Sequence, residues 1–154
     1  MGVQQPVDIL SLIEKEFKLG SDSIHGKFHW DRVWDFGKAI GKNNGADLTV
    51  VYLFSYLHDS QRVDESEDDG HGERAAAFVQ ELFAKGRLDI SEKQLEQLIF
   101  ACRFHDKVGS RSDDISIQTC WDADRLDLPR VGIKVDPARL NTGEAVRLLR
   151  LREE

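Results

Sequence analysis

Leu48-Thr49-Val50-Val51-Tyr52-Leu53-Phe54-Ser55-Tyr56-Leu57-His58-Asp59 is an apolar run that ends abruptly in a polar pair. Its apolar residues are too continuous for a surface helix and too few for a membrane span, which predicts a helix buried on most sides. Asp47, after the Asn44-Gly45 turn, suits the N-cap, and about three turns from there bring the helix end to His58 and Asp59. An imidazole and a carboxylate beside a dry core cost free energy unless each is paired, and a metal ion pairs both. A hydrogen bond at a helix end would also account for a lone dyad, so its meaning depends on the rest of the chain.

The chain has 154 residues, enough for one domain with a sizeable core and short for two. Its net charge of −7 offers no field that would draw in a nucleic-acid backbone or an anionic membrane. Met1-Gly2-Val3-Gln4-Gln5-Pro6 lacks the basic and apolar segments of a signal peptide, and no apolar run approaches a membrane span, so a cytosolic protein is expected. Cys102 and Cys120 fall on predicted apolar helix faces and read as buried thiols of a reducing compartment.

The expected architecture is all-α. Pro6 can start a first helix, with Ile9, Leu10, Ile13 and Phe17 at helical spacing up to Leu19-Gly20. His25, His29, Val33, Phe36 and Ile40 share one stripe of a second helix running to about Gly41. After the central helix, residues 60–70 are polar and acidic, a loop whose acids are expected to be solvated. His71 then opens a helix that Lys85-Gly86 closes. Ser91 with Gln94 forms a capping box for a fifth helix, whose face of Leu95, Leu98 and Cys102 carries His105 inward. Residues 107–114 form a second polar loop. A sixth helix puts Ile117, Cys120, Trp121, Asp124 and Leu128 on one stripe before Pro129, with Asp122 facing away. The tail, through Val146, Leu148 and Leu149, predicts a last short helix covering the core.

All five histidines lie at helix starts, helix ends or inward faces. His29, His58 with Asp59, His71, His105 and Asp124 come from separate predicted helices, a distribution that packing does not explain. Imidazoles and carboxylates in this ratio suit divalent Mn, Fe, Co, Ni or Zn and are too nitrogen-rich for Ca or Mg alone. One or two such ions are expected.

These residues resemble the H…HD…D pattern of the HD-domain superfamily of metal-dependent phosphohydrolases, an all-helical bundle. The first histidine falls on His29 in His29-Trp30-Asp31-Arg32-Val33, the dyad on His58-Asp59, and the closing aspartate on Asp124 in Asp122-Ala123-Asp124-Arg125-Leu126-Asp127. His71 and His105 look like the additional histidines of bimetallic members. The resemblance spans about residues 25–128 of what is expected to be one HD domain over 1–154. Lys107-Val108-Gly109-Ser110-Arg111 lacks the Gly-Tyr-Pro signature of the cyclic dinucleotide branch, and Ser60-Gln61-Arg62-Val63 lacks the Glu-Asp pair of the alarmone hydrolases. Neither substrate carries over.

The resemblance implies hydrolysis of a small phosphoester, a nucleotide or other phosphorylated metabolite, by metal-activated water. Asp59 would bridge two ions. Arg62, just past the dyad, is the best placed cation for phosphate; Arg32, Arg74 and Arg103 are weaker, and His25 would support a ligand or protonate a leaving group. Two other readings stay open. A smaller branch of the superfamily uses a similar ligand set to hold two irons and oxidise carbon with dioxygen, and a non-catalytic regulatory module would use metal only to tie helices together.

Overall fold

The computed structural model describes residues 5, 6 and 9–153. In order, the helices are α1 (Ile9–Glu16), α2 (Lys27–Gly41), α3 (Leu48–Leu57), α4 (His71–Ala84), α5 (Glu92–Phe104) and α6 (Ile115–Arg125). Two short 3-10 turns follow, Leu128–Val131 and Pro137–Arg139, and then α7 (Gly143–Glu153). Among the described residues there is no strand, and the helices form one domain.

The centre is α3. Asp47 caps it by accepting from the Thr49 and Val50 amides, as expected. Val51, Leu53, Phe54 and Leu57 are fully buried, each contributing about 2 kcal/mol relative to exposure. Ser55 survives in this dry setting because its hydroxyl donates to the Val51 carbonyl at 2.8 Å. Around α3 pack α2, α5 and α6, with α4 laid against α5. Gly37 permits the tightest of these approaches: a Cβ there would collide with Val51, so α2 and α3 meet closely. The capping box of Ser91 and Gln94 starts α5, and Trp121 Nε1 donates to the Ala101 carbonyl to tie α6 to α5. Both cysteines are buried and unpaired in disulfides.

Four expectations change. His25 lies ahead of α2 rather than on it, because the chain turns at residues 23–26 and the Trp30 indole donates to the His25 carbonyl. Leu128 is not on α6, which ends at Arg125; it opens the following 3-10 turn. The tail helix covers a second, smaller cluster of Ile40, Leu126, Val135, Ala145 and Leu149 instead of the main core. Finally, the acids of residues 60–70 are not all solvated: the Ser23 hydroxyl donates to Glu65, and Asp68 pairs with Arg74 and accepts the Val63 amide. The expected helix start at Pro6 involves positions 7 and 8, outside the described residues; α1 is described from Ile9. No described helix is long and apolar enough to cross a membrane.

Candidate metal centre

The ends of five helices meet at one end of the bundle and carry the histidines with them. His29 sits in the first turn of α2, His58 and Asp59 follow α3, His71 begins α4, His105 caps α5, and Asp124 lies in the last turn of α6. Gly72 makes the α4–α5 junction possible, since a Cβ there would lie 2.6 Å from Asp106 Oδ1 and 2.7 Å from the Arg103 carbonyl. That approach sets His71 Nε2 at 3.0 Å from His105 Nε2.

The tautomers follow from the partners. Nδ1 of His58, His71 and His105 each faces a backbone carbonyl, of Phe54, Asp68 and Cys102 respectively, and Nδ1 of His29 faces Asp127 Oδ2 at 2.7 Å. A carbonyl only accepts, so each Nδ1 carries the hydrogen and each Nε2 of a neutral ring presents a lone pair. Yet the Nε2 atoms face one another in pairs, 3.1 Å for His29 and His58 and 3.0 Å for His71 and His105. Two lone pairs so close repel unless a proton or a metal ion lies with them.

Asp59 stands between the pairs with one oxygen for each. Oδ1 is 3.1 Å from His71 Nε2 and 3.3 Å from His105 Nε2, while Oδ2 is 3.2 Å from His29 Nε2 and 3.5 Å from His58 Nε2. Asp124 Oδ1 lies 3.3 Å from both His29 and His58 Nε2, and it is buried without a hydrogen bond. The ligand atoms of His29, His58, Asp59 and Asp124 thus form one compact group, and those of Asp59, His71 and His105 a second. Nitrogen and carboxylate donors with a buried, unpartnered oxygen fit a divalent transition metal. All six residues singled out in the sequence are together.

Electrostatics fit the same description. Burial works against charge on His29, but the carboxylates of Asp124, Asp127 and Asp59 outweigh it and push His29 up to about 10. Burial raises Asp59, yet the imidazoles hold it well below the carboxylate range, His58 by charge and His105, His25 and His29 by hydrogen bonds. Asp124 is held low as well, against burial, first by the charge of His58 and then by His29 beside it. Burial keeps His58 neutral, so in the metal-free protein the proton between the first pair rests on His29. That proton stands where a metal would.

A pH dependence follows. The folded-state pKa of His29 lies above its ordinary value, so its contribution to stability is fully present below 6.5 and is lost as pH rises towards about 10. Chelator-treated protein is expected to unfold at progressively lower denaturant across that window. Protein loaded with metal should show a flat profile there, because the ion replaces the proton. Parallel profiles for the two forms would contradict the assignment.

The structure adds residues that the sequence reading missed. Asp127 buttresses His29 and also accepts from Arg32 Nε at 2.8 Å, which puts Arg32 behind the histidine and away from the cavity where substrate binding was expected of it. Arg130 reaches Asp59 Oδ2 at 3.6 Å, fixed by donation to the carbonyls of Ile24 and Asp127. Asp106 Oδ2 lies 3.4 Å from His71 Nδ1. Arg62 does face the cavity, with Nε 3.6 Å from Asp59 Oδ1, buried and without a hydrogen-bond partner. His25 is at the cavity too; its Nε2 donates to the Glu65 carbonyl, so its Nδ1 presents a lone pair to Arg130 Nη2 at 3.4 Å. Arg74 and Arg103 are engaged elsewhere, with Asp68 and Glu73. The centre opens into a cavity of about 830 Å³ walled by Arg62, Arg130, Lys107, Leu128, Ile133 and the 65–69 segment.

An all-helical bundle with this His and Asp set at one end belongs to the HD-domain superfamily. The chain is similar to a solved structure of a predicted HD superfamily hydrolase from an uncultured Thermotogales bacterium, at 25% identity and a TM-score of 0.72, over 95% of this chain and 83% of that one. No protein-family model matches the sequence. No curated protein matches it either.

Proposed function

We propose that the protein is a metal-dependent phosphohydrolase acting on a small phosphoester or nucleotide in the cytosol. The observation that carries this reading is the pairing of four imidazole Nε2 lone pairs around the two oxygens of Asp59. His29, His58, Asp59 and Asp124 would hold one divalent ion, and Asp59, His71 and His105 a second. Ions so held supply Lewis acidity and lower the pKa of water towards neutrality.

The chain's own residues supply the rest. Arg62 and Arg130 flank Asp59 from its two sides, each 3.6 Å from one oxygen, and offer guanidinium donors to a phosphoryl group entering the cavity. Arg130 is held by backbone carbonyls, so it loses little freedom when an anion arrives. Asp127 and the carbonyls of Phe54, Asp68 and Cys102 keep the rings oriented with Nε2 inward. Two cations aimed at the centre favour phosphoryl chemistry over the diiron oxygenase alternative, which needs no anion clamp.

The test is phosphate release from a panel of phosphoesters by protein loaded with Mn or Fe, run beside oxygen uptake. Oxygen uptake without phosphate release would replace the reading by the oxygenase. Within an active preparation, Arg62→Ala and Arg130→Ala are each expected to lower kcat/KM by about 2 kcal/mol of transition-state stabilisation while metal content stays the same. A variant with full activity would take its arginine out of the site.

A further inference from the structure

We propose that the metal centre serves a second, basic lobe of the cavity, which binds another anionic group of the substrate. The substrate class is then a small phosphoester that also carries a carboxylate or a further phosphate. This rests on the phosphohydrolase reading for the scissile group, and on separate observations for the lobe itself.

A pocket of about 480 Å³ adjoins the main cavity and shares His105, Asp106, Lys107, Asp124, Leu128 and Ile133 with it. The two spaces therefore meet at the centre. Apart from the shared residues, this lobe is lined by the cations Arg125, Lys134 and Arg139 and one acid, Asp136. Cations gathered beside the centre stand out in a chain of net charge −7.

These cations are not neutralised by tight partners. Lys107 is 3.8 Å from Asp106, and Arg139 is 3.9 Å from Asp136 with both side chains more than half exposed. Arg125 spends one nitrogen on the Arg139 carbonyl, and Lys134 makes no ion pair among the described residues. The Arg139 pair, long and exposed, holds little energy, and the Lys107 pair is long as well, so an entering anion displaces the Arg139 pair at small cost. The main cavity has the opposite outer rim: Glu65, Glu67 and Asp69 are exposed on the 60–70 segment and repel a second anion. One negative group at the metals and another in the basic lobe matches the polarity of the two lobes.

Binding can be read without turnover, using protein loaded with Mn and three phosphonates of equal chain length. Propylphosphonate carries one anionic group, phosphonopropionate adds a carboxylate, and propylenediphosphonate adds a second phosphonate. Calorimetry is expected to show at least one doubly anionic probe binding about tenfold tighter than propylphosphonate, an advantage that shrinks with added salt. Whichever probe gains identifies the second group. The double variant Lys134→Gln/Arg139→Gln should lose the advantage and bind propylphosphonate as before, while Lys134→Arg/Arg139→Lys should keep it. Equal or absent binding of the three probes by the unaltered protein, or an advantage that survives the Gln variant, overturns the proposal. Probe discrimination without phosphoester hydrolysis would keep the lobe and remove the hydrolase; hydrolysis without discrimination would do the reverse.

Discussion

Asp59→Ala protein is expected to purify with close to no metal, to release no phosphate above background, and to unfold about 3 kcal/mol or more below the unaltered protein. The reason is that both carboxylate oxygens are used. Oδ2 faces His29 and His58, and Oδ1 faces His71 and His105, so the substitution removes a donor from both groups at once. Two cations a few ångströms apart would also lose the shared negative charge that lets them coexist. What remains is Arg62 and Arg130 without the carboxylate they flank, while His29 keeps only Asp124 and Asp127, and a buried cation that loses its partner is costly. His71→Ala and His105→Ala should behave differently. Each takes a donor only from the group on Oδ1, so one metal equivalent and most activity should go while His29, His58, Asp59 and Asp124 still tie α2, α3 and α6 together. Metal analysis of the purified variants, with thermal unfolding beside it, reads all three. If the unaltered protein takes up a single equivalent under excess Mn or Fe, and the two histidine variants match it in metal and activity, a binuclear centre is wrong.

How much of this could be read from residues alone depends on the distance over which each feature is encoded. The N-cap of Asp47, the capping box of Ser91 and Gln94, and the buried run of α3 are settled within four to ten neighbouring residues, and they stand in the structure as the sequence implies. The metal group was legible because histidines at helix ends and inward faces have few packing explanations. Its supports were not. The partners of His29 and Arg32 lie 98 and 95 residues away at Asp127, and Arg130 reaches back 106 residues to Ile24, which no local period can announce. Asp127 did carry a signal, since it stands three residues after Asp124 and so on nearly the same side of the chain. Arg130 carried none, because its aim depends on the 3-10 turn after α6. Arg32 was misread for a related reason: proximity to His29 in sequence says nothing about whether a long side chain swings into the cavity or behind the ring.

Asp122→Ala and Asp124→Ala, two residues apart, are expected to fail in opposite ways. On a helix they differ by about 160° in direction, and the structure gives each side its own task. Asp124 Oδ1 faces His29 and His58 at 3.3 Å, so Asp124→Ala should lose the metal equivalent of that group while the chain stays folded. Asp122 is fully buried on the other side, where the sequence reading had assigned it no role beyond facing away. Its Oδ1 accepts from the backbone and side-chain nitrogens of Asn141, and its Oδ2 from the amide and hydroxyl of Thr142. Thr142 Oγ1 in turn accepts from the Ala145 amide at the start of α7, so this carboxylate ties the beginning of the C-terminal helix to α6, beside the apolar cluster that helix covers. Burial pushes Asp122 up, and these donors oppose it. Removing it leaves buried donors without an acceptor, which should cost about 3 kcal/mol. For a chain of this size that lowers Tm by about 10 °C, with metal content unchanged. Metal analysis beside thermal unfolding with and without chelator separates the two effects, because Asp124→Ala should lose the one equivalent of its group and respond less to chelator, while Asp122→Ala should keep its metal and respond in full. Loss of metal from Asp122→Ala with retention in Asp124→Ala would show that the wrong face of α6 had been assigned to the centre.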